Sequence, residues 1–148
     1  MFNFCLGSIS SFAAELPTGG KVEAGQASIS QNAQVMDVHQ TSQRAVLSWN
    51  SFDVAKGNTV NFNQPNANSV MMNRVVGATK SMIDGAINAN GQVVFVNPNG
   101  VVFGKNAEVN VGGLIATSMN ISNDDFMAAK DAMSFSGEGT GRVKRSNH

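Results

Sequence analysis

Short apolar runs separated by glycine and asparagine constrain the fold of this chain more than any other feature of its sequence. Val60 and Phe62 alternate with polar neighbours, which is the period-two pattern of a half-buried strand. The runs Val93–Val96 and Val101–Phe103 are continuously apolar, as in strands that are covered on both faces. Residue pairs that tolerate a positive φ separate the runs, at Gly19–Gly20, Gly57–Asn58, Asp84–Gly85, Asn90–Gly91, Asn99–Gly100 and Gly112–Gly113. The pattern predicts an all-β chain of many short strands.

One segment departs from the strand pattern and predicts a single short helix near 122–130. Ser122 or Asn123 can cap the N-terminus of this helix. Asp124 and Asp125 then place carboxylates in its first turn, where the helix dipole favours negative charge. The chain is therefore expected to be all-β apart from this one element.

The residue pattern alone leaves three all-β architectures open, namely a sandwich, a barrel and a parallel β-helix. In a β-helix, successive coils stack their apolar side chains inward and align asparagine side chains at the corners, where the amides can bond one another. No repeat of fixed length is visible in the sequence, although such a repeat is the usual signature of stacked architectures. Periodicity therefore does not choose among the three.

The charge content argues against nucleic-acid binding and weakens the case for an enzyme. Lys+Arg and Asp+Glu each number 10 among 148 residues, so there is no basic stripe for phosphates. A β-helical polysaccharide lyase or hydrolase would need clustered charges on one sheet face, but charged residues make up only 14% of the chain. A carbohydrate-binding module, the other alternative, would need several exposed aromatic rings, and aromatic residues make up only 7%.

The N-terminal segment Met1–Ala14 is apolar, rich in small residues and free of charge, as in the back half of a secretory signal peptide. Ser11 and Ala13 fit the small-x-small pattern, so cleavage is expected after Ala13, with Ala14 as the alternative. The segment is shorter than the roughly 20 residues that a membrane-spanning helix needs. The single cysteine, Cys5, lies within it, so no disulfide can form within the chain.

No cluster of side chains in the sequence predicts catalysis, a metal site or a cofactor. His39 is the only histidine in the body of the chain, whereas a metal site needs several convergent ligands. Asp124 and Asp125 are adjacent, so on a helix their carboxylates diverge by about 100° and do not converge on a substrate. The chain is therefore predicted not to be an enzyme and to use no cofactor.

The tetrapeptide Asn97-Pro98-Asn99-Gly100 is the sharpest local motif in the sequence. It suits a type I turn, because Pro98 fixes φ near −65° and Asn97 can bond a backbone amide two residues on. All four residues are candidate site residues. Two interpretations stay open for them: a purely structural corner, and a surface that a partner protein recognises.

Trp49 and Phe52 lie on either side of a polar kink, Asn50–Ser51. Stacking of the rings on a sugar is one interpretation. Packing in the core, or capping of an open β-helix end that would otherwise present unpaired strand edges, is favoured instead.

A long ordered set of short motifs gives the strongest indication of the family. The set runs through Leu16–Gly20, Trp49–Phe52, Gln64–Asn66, Asn73–Val75, Ala89–Gln92, Val96–Gly104, Val109–Leu114 and Asp125–Phe126. In this order and spacing, the chain from about Glu15 to Gly139 resembles the two-partner secretion (TPS) domain, which is the N-terminal haemagglutination activity domain of filamentous haemagglutinin. The resemblance implies structural motif residues at Trp49, Phe52, Asn73, Arg74, Asn90, Gly91, Gly112 and Gly113.

The resemblance implies a right-handed parallel β-helix with N-terminal capping strands. It implies a secretion-recognition and folding module of an adhesin-like exoprotein, which crosses the periplasm and is secreted or held at the surface of a Gram-negative bacterium. The implied partners are the Sec machinery and an outer-membrane TpsB-type β-barrel transporter that recognises the module through its POTRA domains. The motifs identify neither a passenger activity nor a host receptor.

Two departures from the family pattern bear on the subgroup and on the expected domain boundaries. Gln64–Ala67 does not reproduce the Asn-Pro-Asn-Leu element of some members, which places the chain closer to the subgroup that lacks it. Gly141–His148 carries no strand pattern. We therefore expect a partial signal peptide at 1–14, a secretion domain at 15–140 that is incomplete at its C-terminus, and a disordered tail at 141–148.

Overall fold

The structure is a computed structural model that describes residues 15–119, 122–128 and 143–145. Within these residues the chain forms thirteen strands and one short helix, α1 (Asn123–Ala128). The strands are β1 (Lys21–Ala24), β2 (Ala27–Gln31), β3 (Val35–Gln40), β4 (Arg44–Trp49), β5 (Thr59–Asn63), β6 (Val70–Val75), β7 (Ser81–Ile83), β8 (Ala86–Ala89), β9 (Gln92–Val96), β10 (Val101–Phe103), β11 (Glu108–Asn110), β12 (Gly113–Thr117) and β13 (Val143–Arg145).

Three parallel stacks of strands wind into a β-helix of about four coils. One stack contains β3, β5, β8 and β11, and the second contains β4, β6, β9 and β12. The third contains β7, β10 and β13, and a bridge between Val54 and Ile83 extends it to the first coil. The parallel β-helix implied by the family resemblance is confirmed, and the sandwich and the barrel are excluded.

The coils differ in length, which explains why no fixed repeat is visible in the sequence. Val35, Thr59, Ala86 and Glu108 occupy equivalent register positions in the first stack, yet their spacing along the chain is unequal. The loops at the corners absorb the difference, so the strands stay in register while the sequence period drifts.

The N-terminal residues cap the first coil on all three of its sides. Strand β1 pairs antiparallel with β4, and β2 pairs antiparallel with β3. On the third side, Thr18 bridges Ser51, and the carbonyl of Glu15 accepts a hydrogen bond from the backbone N–H of Ala55 at 3.1 Å. The cap occupies the edges that the first coil would otherwise expose. The predicted N-terminal capping strands are confirmed, and they end at Gln31.

Inward-facing side chains of successive coils form apolar columns. Met36, Val60 and Ile87 are aligned by register in the first stack, all three are buried, and the partly buried Val109 continues the column. Burying each such side chain stabilises the fold by about 1.5–3 kcal/mol. The period-two pattern at Val60 and Phe62 therefore predicted the inward face correctly.

In the second stack, β9 is apolar on both faces, as its continuous apolar sequence predicted. In β9, Val93 and Phe95 point into the β-helix, whereas Val94 and Val96 belong to a separate buried cluster on its outer face. The run Val101–Phe103 differs, because its middle residue is only half-buried. The side chains of β10 alternate between inward and outward, but the sequence does not show it because the outward residue, Val102, is also apolar.

Helix α1 lies against the outer face of the second stack, close to the predicted range of 122–130. The hydroxyl of Ser122 accepts a hydrogen bond from the backbone N–H of Asp125 at 3.1 Å, which is the geometry of an N-cap. Phe126 is fully buried beneath the helix. The one predicted helix is therefore confirmed, with Ser122 rather than Asn123 as its cap.

Asparagine side chains form a ladder that crosses all four coils of the first stack. Asn61 Nδ2 donates to Asp37 Oδ1 at 3.0 Å, Asn88 donates to Asn61 Oδ1 at 3.0 Å, and Asn110 donates to Asn88 Oδ1 at 3.2 Å. The sequence placed such a ladder at the corners, but the structure places this one along the strands, because these residues face outward in register. The amides tie neighbouring coils together outside the core.

Glycines at two predicted turns serve close stacking rather than a positive φ. A Cβ at Gly91 would lie 2.8 Å from the carbonyl oxygen of Ser69, and one at Gly112 would lie 2.8 Å from that of Gly91. Neither glycine has a positive φ, whereas Gly57 and Gly100 do, at 90° and 107°. The sequence marked Gly91 and Gly112 as residues that tolerate a positive φ; in the structure, the constraint on them is instead the backbone of the preceding coil.

The two ends of the chain lie largely outside the described residues. The predicted signal peptide, 1–14, is not among them, and neither is most of the predicted disordered tail, 141–148. Within that tail, the structure places strand β13, which pairs in parallel with β10. The other expectations for these segments stay predictions.

We expect Gly91→Ala to lower the free energy of unfolding by about 1–3 kcal/mol, because the new methyl group would meet backbone of the preceding coil. Gly113→Ala is the matched control, since its nearest contact is the flexible side chain of Gln92 at 3.3 Å, and a change within about 0.5 kcal/mol is expected. Urea unfolding followed by Trp49 fluorescence measures both variants. Equal losses would contradict this account of coil stacking.

Candidate recognition site at the Asn97 corner

The corner between β9 and β10 is a tight turn closed by two hydrogen bonds. The backbone N–H of Gly100 donates to the carbonyl of Asn97 at 2.9 Å, and the N–H of Asn99 donates to the Asn97 side-chain oxygen at 2.9 Å. Asparagine and proline suit the first two positions of such a turn. Gly100 adopts a φ of 107°, which glycine tolerates without strain.

The side chain of Asn97 is buried and links two coils. Its Nδ2 donates to the carbonyl of Thr79 at 3.1 Å and contacts the hydroxyl of Ser81 at 3.0 Å. Its backbone N–H also donates to the carbonyl of Thr117 in the next coil at 3.0 Å. Asn97 therefore acts as an internal polar connection, and its side chain is out of reach of a partner protein.

Only Pro98 and Asn99 of the four motif residues face outward, Pro98 being partly exposed and Asn99 exposed. Asn99 Nδ2 donates to the carbonyl of Gly77 at 3.0 Å, which holds the side chain along the surface of the preceding coil. Val76, next to Gly77, is 61% exposed. Sequence reasoning missed Val76, because a valine that directly follows Val75 carries no signal of exposure. We name Val76, Pro98 and Asn99 the corner patch.

Trp49 and Phe52 lie in the core and are not available to a ligand. Trp49 Nε1 donates to Asn73 Oδ1 at 3.0 Å, and both side chains are buried. The rings of Trp49 and Phe52 meet edge to face at 5.4 Å, and Phe52 packs against Phe95 at 4.8 Å. Stacking on a sugar is thereby excluded for this pair, and the core-packing interpretation agrees with the structure.

Arg74 belongs to the outer face of the second stack, where it and Arg44 meet α1. Arg74 contacts the side-chain oxygen of Asn123. Arg44 Nε donates to the carbonyl of Phe126 at 2.7 Å, and its Cζ lies 4.4 Å from the centre of that ring. Partial burial lowers the pKa of both guanidinium groups, and the carboxylate of Glu23 opposes this effect at Arg74.

Asn90, Gly91, Gly112 and Gly113 lie at coil connections, where Asn90 and Gly112 are exposed. Asn90 Oδ1 accepts from the backbone N–H of Gln64 at 2.8 Å, and Asn90 Nδ2 donates to the Gln64 carbonyl at 2.7 Å. The N–H of Gly112 donates to the carbonyl of Gly91 at 2.8 Å. These bonds join the corners of successive coils.

Among residues 15–119 and 122–128, no three His, Cys, Asp or Glu side chains converge as metal ligands. A cleft of about 520 Å³ is lined by charged residues of both signs, including Lys56, Asp84 and Lys105. The Asp84 carboxylate accepts hydrogen bonds from the backbone and side-chain nitrogens of Asn106 at 3.1 and 3.2 Å.

In the part of the chain that is described, no helix is long and apolar enough to cross a membrane.

Comparison with known proteins gives the family directly. The family model of the TPS secretion domain matches residues 13–145. Two heme/hemopexin-binding proteins of Haemophilus influenzae, one of them from strain Rd, are 42% and 38% identical to this chain, over 109 and 118 residues. The crystal structure of the HMW1 secretion domain from Haemophilus influenzae matches with a TM-score of 0.72 and 32% identity, covering 76% of this chain and 30% of that one.

The capped β-helix and these matches together define the class: the chain belongs to the TPS secretion domain family. Members of this family are secretion domains of exoproteins that Gram-negative bacteria secrete. A TPS secretion domain in general implies a TpsB transporter as its partner. The matched regions cover 74% and 79% of this chain but only 12% and 13% of the two curated relatives. The activities in the names of those relatives belong to much longer proteins.

We expect Asn97→Ala to cost about 1–3 kcal/mol of stability, because it removes a buried amide that donates to the carbonyl of Thr79 and contacts the buried hydroxyl of Ser81. Asn99→Ala removes an exposed hydrogen bond to Gly77 and should cost less than about 1 kcal/mol. Thermal unfolding of both variants tests the ranking. A larger loss for Asn99→Ala would show that the outward residue, not the buried one, holds the corner.

We expect Asn73→Ala to destabilise the core by about 1–3 kcal/mol, since it leaves the buried indole N–H of Trp49 unsatisfied. The emission maximum of this single tryptophan reports whether water enters. Asn63→Ala, an exposed asparagine on β5, serves as the control and should be close to neutral. An Asn73→Ala protein as stable as this control would show that the indole hydrogen bond contributes little.

Proposed function

We propose that this chain is the module by which a TpsB-type outer-membrane transporter recognises its exoprotein, through periplasmic POTRA domains. The observation that carries the proposal is the corner patch, which lies on the surface of a TPS secretion domain and is held in place by the buried Asn97. Because the turn is preorganised, a partner that binds it loses little conformational entropy. Sec-dependent passage to the periplasm, followed by secretion or display at the cell surface, completes the proposed route.

The role proposed for the chain is recognition rather than catalysis. The described aromatic side chains, at Trp49, Phe52, Phe62, Phe95, Phe103 and Phe126, are all buried. A carbohydrate-binding module would present such rings at its surface, so that alternative is disfavoured. A polysaccharide lyase or hydrolase would need carboxylates that converge on a substrate, and Asp84 is instead held by Asn106.

A heme-related activity is proposed only for a longer protein that contains this module. Its support is the similarity to two proteins named for heme and hemopexin binding, of which the matched region forms a small part. Binding of heme by the isolated chain would therefore be unexpected. Titration of the chain with hemin, followed by absorbance, tests the point against a full-length exoprotein.

We expect Asn99→Ala to weaken binding to the purified periplasmic domains of the cognate transporter by about tenfold, without changing Tm by more than a few degrees. The reason is that a central contact at an interface typically contributes about 1–2 kcal/mol. Asn63→Ala, also exposed but on another face, is the matched control and should bind as the unmodified chain does. Isothermal titration calorimetry measures the affinities.

Two outcomes of that experiment would contradict the proposal. If the unmodified, folded chain does not bind the periplasmic domains, the transporter is not its partner. If it binds, but Asn99→Ala and Asn63→Ala bind equally well, the corner patch is only structural and recognition lies elsewhere on the domain.

A further inference from the structure

The antiparallel cap presents a strand edge of its own. Among the described residues, β2 pairs with β3 alone and is the last strand of its sheet. The N–H of Asn32 donates to Val35 and that of Thr41 donates to Gln26, and such bonded pairs alternate along an antiparallel ladder. Every second residue of β2 therefore turns its N–H and C=O away from β3, namely Ala27, Ile29 and Gln31. We name these backbone groups the β2 edge.

The β2 edge lacks the protection that β1 has. Strand β1 is also the last strand of its sheet, but it carries exposed Lys21 and Glu23 and has a register shift between Val22 and Ala24. Charged side chains and bulges are features by which natural sheets prevent the addition of another strand. Strand β2, Ala27–Gln31, has no charged residue, no proline and no register shift. The cap thus blocks one of its two edges and leaves the other open.

The sequence of β2 is complementary to itself in antiparallel orientation. A two-fold axis at Ile29 places Ile29 opposite its own copy and Ser28 of one copy opposite Ser30 of the other. In this register each N–H and C=O of the β2 edge meets a partner, because Ala27 lies opposite Gln31. Hydroxyls meet on the outward face, and no like charges meet. The isoleucines meet on the inward face, where Ile29 packs against the core.

An exposed apolar side chain beside β2 indicates what kind of partner fits. Val22 lies opposite Leu47, which belongs to the buried core, yet Val22 itself is 36% exposed. It belongs to a different sheet from β2, so a single added peptide strand would leave it in water. A second copy of the chain instead brings a whole end face, with its own Val22, against this one.

We propose that two copies of this chain associate head to head through the β2 edge, with the two β2 strands paired antiparallel about a two-fold axis at Ile29. The two β-helices then extend in opposite directions from a shared sheet. This surface is separate from the corner patch, which lies between the second and third stacks. The inference therefore does not rest on the proposed function.

Sedimentation velocity of the full chain over a range of concentrations tests the association. A dimer is expected at concentrations on the order of 100 µM, since small interfaces are usually weak. The double variant Ser28→Lys with Ser30→Lys places like charges opposite each other across the axis. It should raise the dissociation constant of the dimer at least about tenfold.

The matched control is the double variant Ser28→Glu with Ser30→Lys, which differs from the first at one position. It places opposite charges against each other in the same register, so it should dimerise at least as tightly as the unmodified chain, and salt should weaken its dimer. Both serines are exposed, so both variants should keep Tm within a few degrees of the unmodified chain. Association through any other surface would not distinguish the two variants.

A third variant tests the backbone pairing directly. Gln31→Pro removes an N–H that points away from β3, so the bonds between β2 and β3 stay in place. The dissociation constant of the dimer should again rise about tenfold. This variant also decides the matter if the double-lysine variant does not fold.

The outcomes separate this inference from the proposed function. Loss of the dimer in the double-lysine variant and its retention in the control support the inference. A chain that stays monomeric overturns it, and so does a dimer that both variants weaken or leave unchanged equally. A monomer that still binds the periplasmic domains of the transporter would leave the proposed function standing while this inference fails.

Discussion

Backbone stacking from coil to coil is the constraint on which the rest of this structure depends. Each coil presents a row of N–H and C=O groups to the next, and buried groups of this kind must be paired. Residues 15–31 supply the first partner, in antiparallel orientation, and thereby define where the stack begins. Gly91 and Gly112 allow the approach of successive coils where a Cβ would collide with a carbonyl. The core columns, the corners and the buried cluster beneath α1 all take their positions from this register.

Local features of the sequence predicted the elements that local physics decides. Alternation at Val60 and Phe62 identified an inward face, and the pair Ser122–Asn123 identified the start of a helix, because strand facing and helix capping depend on adjacent residues. The fold itself required the whole ordered set of family motifs. Contacts between distant residues were beyond this reasoning. The cation–π contact of Arg44 with Phe126 and the packing of α1 on an outward apolar row have no signature in the sequence.

The corner at Asn97 shows the same division within a single motif. Its turn was predictable from residue types, but which of its side chains are buried and which face outward was not. Burial of Asn97 is decided by Thr79 and Ser81, which belong to the preceding coil. The outward position of Asn99 follows from that burial, and the exposure of Val76 beside it follows from the end of β6. A motif that is uniform in sequence thus has an inner half that builds the corner and an outer half that a partner can reach.

The asparagine ladder gives the β-helix a chemical direction. A carboxylate only accepts hydrogen bonds, so Asp37 obliges Asn61 to donate toward the first coil, and Asn88 and Asn110 follow in the same sense. The last amide therefore turns its oxygen away from the cap. A strand arriving beside β11 meets an acceptor and must bring a donor, whereas an aspartate or glutamate at that position would be repelled. Two copies meeting through this edge in two-fold symmetry would oppose oxygen to oxygen, so the ladder favours one-way extension over head-to-head pairing.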